Sequence, residues 1–270
     1  MPLRTHAARL LASVAVAAAL ALSAGGCANI GSRDTTGSTN TASAAPASEA
    51  ESQRSLDTLG ARYRDNPGDA DAAIAYARAL RATGQRAQAV AVLERASMRN
   101  PRNMPLLGAY GRALAEAGQY QQALEVLGRA HTPDNPDWRV LNVQGAVLDQ
   151  LGHHADAQSH YAAALKIVPD ESTVLSNLGL SYLLTKDLKN AELTLRRAAA
   201  QQNASPKVRQ NLALVVGLRG HFEEAEKIAS ADLPENEASA NISYLRQMLA
   251  RQRDWKKLGR AYGPAPDAGS

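Results

Sequence analysis

The apolar residues of this chain recur at helical spacing, and the same arrangement returns every 34 residues from residue 67 onward. One series is always alanine, at Ala89, Ala123, Ala157, Ala191 and Ala225. A second series is small, at Ala77, Gly111, Gly145, Gly179 and Ala213, and a third is large, at Leu80, Leu114, Leu148, Tyr182 and Val216. Members of the second and third series stand on one face of a helix. The pattern predicts two amphipathic helices in each 34-residue unit.

Residues that end helices separate these predicted elements. Five residues before each alanine of the first series stands one of Gly84, Gly118, Gly152, Lys186 and Gly220. Glycine supplies the left-handed backbone with which many helices end. Units are closed by Pro67, Pro101, Pro136 and Pro169, because proline lacks the N–H and clashes with the preceding turn. The small residues between these ends let the two helices of a pair approach closely.

A 34-residue helix-turn-helix unit of this kind resembles the tetratricopeptide repeat. The resemblance implies an all-α fold, a superhelical solenoid of about five helix pairs over residues 67–238. Leu56, Leu59 and Tyr63 predict an N-terminal capping helix over residues 52–66. Apolar residues within 239–262 predict C-terminal capping helices, and residues 263–270 are expected to be a tail. In the fifth unit, Ala229 and Asp232 replace a large residue and an alanine, which is typical of a terminal unit.

The first 26 residues have the layout of a bacterial signal peptide. Arg4 and Arg9 precede an apolar run at 10–22. As a helix, this run would span about 20 Å, less than the roughly 30 Å of a bilayer core. Small residues then lead to Cys27, the only cysteine of the chain. The stretch resembles a lipoprotein signal, with Ala24 where leucine is usual; the other interpretation is ordinary cleavage, with Cys27 incidental.

The lipoprotein resemblance implies that Cys27 is acylated and becomes the new N-terminus. Because Ala28 and not an aspartate follows it, we expect attachment to the outer membrane, on its periplasmic face. Residues 27–51 are rich in Ser, Thr, Ala and Gly. They predict a lipidated flexible tether with a reach of roughly 25–30 Å.

Composition and charge narrow the class of protein. The chain is 45% hydrophobic but only 4% aromatic, which favours helices over strands. The formal net charge is +4, and two of its arginines stand in the predicted signal peptide. No cluster of five or more Lys and Arg residues occurs, so nucleic-acid binding is not predicted.

The sequence offers little catalytic chemistry. It contains no phosphate-binding glycine loop and no serine or cysteine in a recognisable nucleophile elbow. His153 and His154 fall in a turn between helices and His160 in the next helix, with Asp156 as the carboxylate nearby. We interpret these histidines as solvated, not as metal ligands. We therefore predict a protein without enzymatic activity, metal or cofactor; an enzyme or metal carrier is the alternative that bound metal or cofactor would reveal.

The repeat resemblance also implies a binding groove lined by the first helix of each unit, at positions two, five, six, nine and twelve counted from Ala70. The candidate protein-binding residues are Arg78, Arg81, Arg112, Arg139, Asn142, Asn177, Leu180, Leu183, Asn211 and Leu214. They predict a groove that is basic at its N-terminal end and apolar at its C-terminal end. Asn177 and Asn211 share one position, and paired amides can hold a peptide backbone. Local hydrogen bonding at the helix end, or plain solvation, is the other interpretation.

One part of the chain has a more particular likeness. Val208 begins the segment Val-Arg-Gln-Asn-Leu-Ala, which follows the related run at 174–181 and precedes Asp-Leu-Pro at 232–234 and the run at 241–246. With the lipoprotein signal, these resemble TadD, the tetratricopeptide lipoprotein family of the Tad (Flp pilus) assembly system. The resemblance implies a pilotin-like scaffold that assists the pilus secretin. A scaffold of another envelope machine, for type IV pili, outer-membrane protein insertion or cell-wall synthesis, is the alternative.

Overall fold

The computed structural model of this protein describes the backbone of residues 45–262 and the side chains of residues 51–251. The predicted signal peptide, Cys27, residues 27–44 of the predicted tether and the tail at 263–270 lie outside the described residues. Within them the chain forms α-helices and one isolated β-bridge, but no strand. The helices are α1 (Ala45–Asp65), α2 (Ala70–Ala82), α3 (Arg86–Arg99), α4 (Met104–Glu116), α5 (Tyr120–Leu127), α6 (Trp138–Gln150), α7 (His154–Ile167), α8 (Ser172–Leu184), α9 (Leu188–Ala199), α10 (Pro206–Leu218), α11 (Phe222–Ala229) and α12 (Glu235–Tyr262).

The predicted all-α solenoid of five helix pairs is confirmed. The pairs are α2 with α3, α4 with α5, α6 with α7, α8 with α9, and α10 with α11, and the two helices of each pair pack together. Every pair is also in contact with the next pair along the chain. Each unit therefore buries its apolar faces against its neighbours, as a repeat protein must.

The turn inside each pair is a left-handed helix end. Gly84 has a φ of 78°, and the N–H of Gln85 donates to the carbonyl oxygen of Leu80 at 2.8 Å. This is the hydrogen bond of a Schellman motif, and it uses the large apolar residue of each unit as its acceptor. The same bond recurs in the other four pairs, and Lys186 adopts the left-handed conformation (φ 64°) where the others have glycine. The predicted role of these positions is confirmed.

The small residues are required where a second helix crosses a first. A Cβ added to Gly145 would lie 2.6 Å from the ring of Tyr161, and one added to Gly111 or Gly179 would lie equally close to a leucine of the paired helix. The alanines of the first series are all fully buried. Close approach of the backbones therefore explains both small-residue series.

The helices at the two ends of the repeat domain, α1 and α12, begin earlier than predicted. Helix α1 begins at Ala45, so residues 45–51 are helical and not part of a flexible tether. At the other end, a single helix, α12, begins at Glu235 where several helices from residue 239 were expected. No glycine or proline stands between Pro234 and Gly259, so nothing interrupts the helix.

Helix α12 takes the place that the first helix of a sixth unit would have. Ala238, Ile242 and Leu245 are buried, and α12 contacts both α10 and α11. These residues follow Val208, Leu212 and Val215, the corresponding buried residues of α10, by 30 positions. The fifth unit is therefore four residues shorter than the others, which shifts the helical positions of everything after it.

Candidate protein-binding groove

The first helices of successive pairs form one continuous wall. Helix α2 contacts α4, α4 contacts α6, α6 contacts α8, α8 contacts α10, and α10 contacts α12. Residues at equivalent positions of these helices are consequently lined up along the wall. The predicted groove residues all belong to it, from Arg78 on α2 to Leu214 on α10.

The basic end of the wall encloses an open cleft of about 490 Å³. Five of the predicted residues line it together: Arg78, Arg81, Arg112, Arg139 and Asn142. Apolar side chains of Ile74, Met104, Trp138 and Val143 complete its lining. A volume of this order suits side chains of a bound ligand.

The arginines of this cleft have different surroundings. Arg81 is held by Glu116 of the next unit, because its Nε donates to Oε2 at 2.6 Å and its Nη2 donates to Oε1. Arg139 places its guanidinium carbon 4.5 Å from the ring centroid of Trp138. Arg78 is exposed and Arg112 is half-buried. Within the described part of the chain, neither of these two has a hydrogen bond or ion pair.

Arg112 carries its positive charge in a partly desolvated place, with no hydrogen bond or ion pair in the described part of the chain. Burial lowers the pKa of its guanidinium, and the charges of Arg81 and Arg139 lower it further, although Glu116 and Asp137 act in the opposite direction. Arginine remains charged in proteins despite such shifts. The cleft therefore holds a guanidinium that is charged and partly desolvated.

The predicted asparagines link neighbouring first helices. Asn177 Nδ2 donates to Asn142 Oδ1 at 2.9 Å, and Asn211 Nδ2 donates to Ser176 Oγ at 3.2 Å. One donor of each amide is thus used inside the protein, in a bond to the neighbouring first helix and not in the local helix-end bond of the other interpretation. That these amides also hold a partner's backbone stays a prediction.

The C-terminal end of the wall presents apolar side chains beside polar ones such as the exposed Lys207. Leu180 is half-buried and Leu214 is 38% exposed, so both present surface to a ligand. Leu183 instead packs against the buried cluster shared by α9, α10, α11 and α12, so it belongs largely to the core between units. The structure adds Tyr244 of α12, which is 70% exposed and follows Leu214 by 30 residues at the equivalent helical position. The sequence pattern missed Tyr244 because this residue follows Leu214 by 30 residues and not by the repeat interval of 34.

Sequence comparisons agree with this architecture. Two models of the tetratricopeptide repeat match the chain, one at residues 53–109 and 82–144 and the other at residues 143–206. Together they cover residues 53–206, more than half of the chain. The chain belongs to the tetratricopeptide-repeat family. No curated protein sequence matches it significantly.

Several solved structures have the same tetratricopeptide-repeat fold. PilW, described as a widely conserved type IV pilus biogenesis factor, is 13% identical with a TM-score of 0.64, over 74% of this chain and 94% of its own. The Cut9–Hcn1 hetero-tetramer of the APC/C is 14% identical with a TM-score of 0.60, over 74% and 41%. A thermophilic repeat protein of Thermus thermophilus, TTC0263, is 22% identical with a TM-score of 0.57, over 66% and 100%. At these identities the likeness shows the fold alone.

A buried polar cluster stiffens the middle of this tetratricopeptide-repeat wall. The carboxylate of Asp149 accepts hydrogen bonds from Ser181 Oγ at 2.8 Å and from Tyr161 Oη at 3.1 Å, and it lies 2.8 Å from His154 Nδ1. Burial and the charge of Asp149 raise the pKa of the Tyr161 hydroxyl, which keeps it protonated as a donor. The cluster joins α6, α7 and α8. The expectation that His154 is simply solvated is therefore wrong, because its partner Asp149 stands on the preceding helix.

The described residues form neither a metal site nor a membrane span. They contain no group of three or more His, Cys, Asp or Glu side chains that could hold a metal ion. Among the same residues, no helix combines the length and the hydropathy of a transmembrane span. Of the predicted site residues, the structure brings five into one cleft, places Leu180 and Leu214 further along the same wall, and uses the rest largely for packing or hydrogen bonds between units.

Proposed function

We propose that this protein is a non-catalytic scaffold that binds an extended polypeptide along the wall formed by its first helices. The single observation that carries the proposal is the half-buried Arg112, which faces an open cleft without an internal partner among the described residues, on a wall that continues to exposed apolar side chains. A side chain with no structural partner in such a place favours a ligand. The residues of the cleft can bind a polypeptide through their charge and shape, and such binding requires no catalytic group.

We further propose that the protein works at the periplasmic face of the outer membrane, attached through lipid on Cys27. The signal-like segment before Cys27 supports this, as does the absence of any other cysteine from the chain. A tether that ends where α1 begins would leave the repeat body free to reach partners near the membrane.

The assembly in which we place it is the Tad (Flp) pilus system, where it would help the secretin to assemble or to reach the outer membrane in a pilotin-like way. The segments that resemble TadD support this setting, and one of them, beginning at Val208, includes Asn211 of the wall. A fold of closely similar extent occurs in PilW, a type IV pilus biogenesis factor.

A double variant of the groove tests the function in cells. Arg112→Glu with Leu180→Asp reverses the charge of the cleft and places a charge in the apolar end, so we expect loss of pili and of heat-resistant secretin multimers, as in a deletion strain. The matched control is Arg95→Glu with Leu193→Asp, which makes the same changes on exposed positions of the second helices α3 and α9. The control should assemble pili normally.

Two results would count against this role. Normal pili and secretin multimers in the deletion strain would remove the Tad assignment. Equal loss in the groove variant and in the control variant would show that the groove has no special part in it. Protein levels measured by immunoblot must be the same in all strains for the comparison to hold.

The second candidate is a scaffold of type IV pili or of another envelope machine. The fold likeness to PilW over nearly its whole length favours type IV pili among these. Identifying which secretin copurifies with the protein after crosslinking in cells separates the two candidates.

A further inference from the structure

We infer that the cleft around Arg112 binds the carboxylate side chains of an acidic segment within the partner, and that the apolar residues of the same segment lie against α8, α10 and α12. This inference rests on the proposed function, since it specifies the chemistry of the polypeptide that the wall receives. It concerns Asp and Glu side chains, not a terminal carboxylate.

The positive charge of the cleft is not neutralised from within. Two carboxylates lie near Arg112, and both already have partners. Glu116 holds the guanidinium of Arg81 through both of its oxygens. Asp137 caps helix α6 by accepting the N–H of Arg139 at 2.7 Å. The guanidinium donors of Arg112 are thus left for a group that comes from outside.

Arginines that support the fold of this protein are ion-paired with carboxylates. Arg209 Nε donates to Asp232 Oδ2 at 2.6 Å, and Arg196 bridges Glu192 and Glu224. Each of these arginines joins its helix to a later part of the chain through a carboxylate. Arg112 joins nothing within the described residues, and its nearest charged neighbours include two further arginines. A partly desolvated guanidinium without a structural partner is a candidate for binding.

Carboxylate chemistry fits this cleft better than a nucleic-acid backbone. A guanidinium binds a carboxylate through two parallel hydrogen bonds, which favours arginine over lysine at such sites. The walls beside Arg112 are apolar, with Ile74, Met104 and Trp138. Nucleic acids instead require a basic stripe that follows many phosphates, whereas α8, the next helix of the wall, contains no Lys or Arg.

The position of Arg112 favours an internal acidic residue over a chain end. Arg112 lies on α4, and the wall continues on one side to α2 and on the other to α6 and beyond. A bound segment can therefore pass across the cleft in both directions. Toward the C-terminal end it would meet Leu180, Leu214 and Tyr244, which present apolar surface and an aromatic ring.

Selection from a library of random dodecapeptides, each displayed with its C-terminus fused, tests the inference on the full-length chain. Fusion removes the terminal carboxylate as an explanation. The baits are the unchanged protein, Arg112→Gln and the matched control Arg95→Gln on an exposed position of α3. We expect the unchanged protein and Arg95→Gln to enrich Asp and Glu followed or preceded by apolar residues, and Arg112→Gln to enrich only the apolar part. The best acidic peptide should bind Arg112→Gln at least about tenfold more weakly.

The possible outcomes separate the inference from the function on which it rests. Peptides without acidic enrichment, or acidic enrichment retained by Arg112→Gln, would overturn the inference while leaving a peptide-binding groove. Recovery of no specific peptide by any bait would overturn the proposed function as well. Binding of a fluorescent dT12 oligonucleotide as tightly as the acidic peptide, and lost in Arg112→Gln, would replace the polypeptide with nucleic acid.

Thermal unfolding of the same variants excludes a structural explanation. Because Arg112 is partly desolvated and pairs with nothing in the described chain, Arg112→Gln should melt at the same temperature as the unchanged protein or above it. A clear fall in melting temperature would show that Arg112 supports the fold, and would overturn its assignment as a carboxylate-binding residue.

Discussion

A Cys27→Ser variant is expected to lose its lipid label and to disappear from the outer-membrane fraction. The thiol of Cys27 is the only one in the chain, so its removal leaves no site for thioether lipidation. Acyl chains anchor a protein at about 0.8 kcal/mol for each buried CH₂ group, and several chains together give stable attachment. Metabolic labelling with palmitate, followed by density-gradient separation of the two membranes, measures both effects.

A second variant makes this experiment sharper. Ala24→Leu introduces the leucine that lipoprotein signals usually have, so it should retain the lipid label and the outer-membrane location in full. No lipid label on the unchanged protein, together with a location that persists in Cys27→Ser, would mean that Cys27 is incidental. In that case ordinary signal-peptide cleavage would be the correct interpretation of residues 1–26.

A Gly145→Leu variant is expected to lower the free energy of unfolding by about 3 kcal/mol, because it overfills a closely packed crossing of helices. A Cβ at residue 145 would meet Tyr161 Cε1 at 2.6 Å, Cζ at 2.8 Å and Cδ1 at 2.9 Å. The ring cannot easily move aside, since Tyr161 is buried and its hydroxyl donates to Asp149. In a repeat domain of this size, such a loss corresponds to a fall in melting temperature of roughly 6–12 °C.

The matched control is Gly108→Leu, the same change on helix α4. A Cβ there would meet only Val140 Cγ2, at an ordinary 3.4 Å, and the position borders the open cleft. Leucine also forms helix better than glycine by up to about 1 kcal/mol, so this variant should be at least as stable as the unchanged protein. Circular dichroism at the helix band during heating compares them. Equal melting of Gly145→Leu and the unchanged protein would contradict the role given to the small residues.

The repeat itself could be predicted from the sequence because helix ends, buried positions and helix crossings each require a particular kind of residue. Gly84 and its equivalents mark the left-handed helix ends, and the residues in register with Leu80 accept the hydrogen bonds that close them. Glycine at 111, 145 and 179 marks the crossings where backbones meet. Each of these features depends on residues a few positions apart, which is the range that pattern reasoning covers.

The end of the repeat could not be placed because its interval changes. Tyr244 is the counterpart of Leu214 at a distance of 30 residues, so counting by 34 assigns it to the wrong helical position. Helix α11 has eight residues, as α5 has, but only five residues separate α11 from α12 where ten separate α5 from α6. The burial of Ala238, Ile242 and Leu245 reveals the shift, and burial is known only once the helices are packed.

The partners of the polar groove residues were also beyond the sequence pattern. Arg81 with Glu116, Asn142 with Asn177, and Ser176 with Asn211 are each 35 residues apart, one more than the repeat interval. These pairs show that position i of one first helix meets position i+1 of the next. With this rule the ion pair between Arg81 and Glu116 becomes predictable. Arg112 has no such partner because the residue 35 positions after it is Val147, not a carboxylate.

Photocrosslinking in cells tests the central claim of a polypeptide-binding wall most directly. A benzophenone amino acid replaces Leu214 on the wall in one strain and Leu193, which is 67% exposed on α9, in the other. We predict that the Leu214 position crosslinks to a defined envelope protein, and that the Leu193 position gives no such product although it is the more exposed leucine. Crosslinks of equal yield from both positions, or from Leu193 alone, would contradict the assignment of the wall as the binding surface.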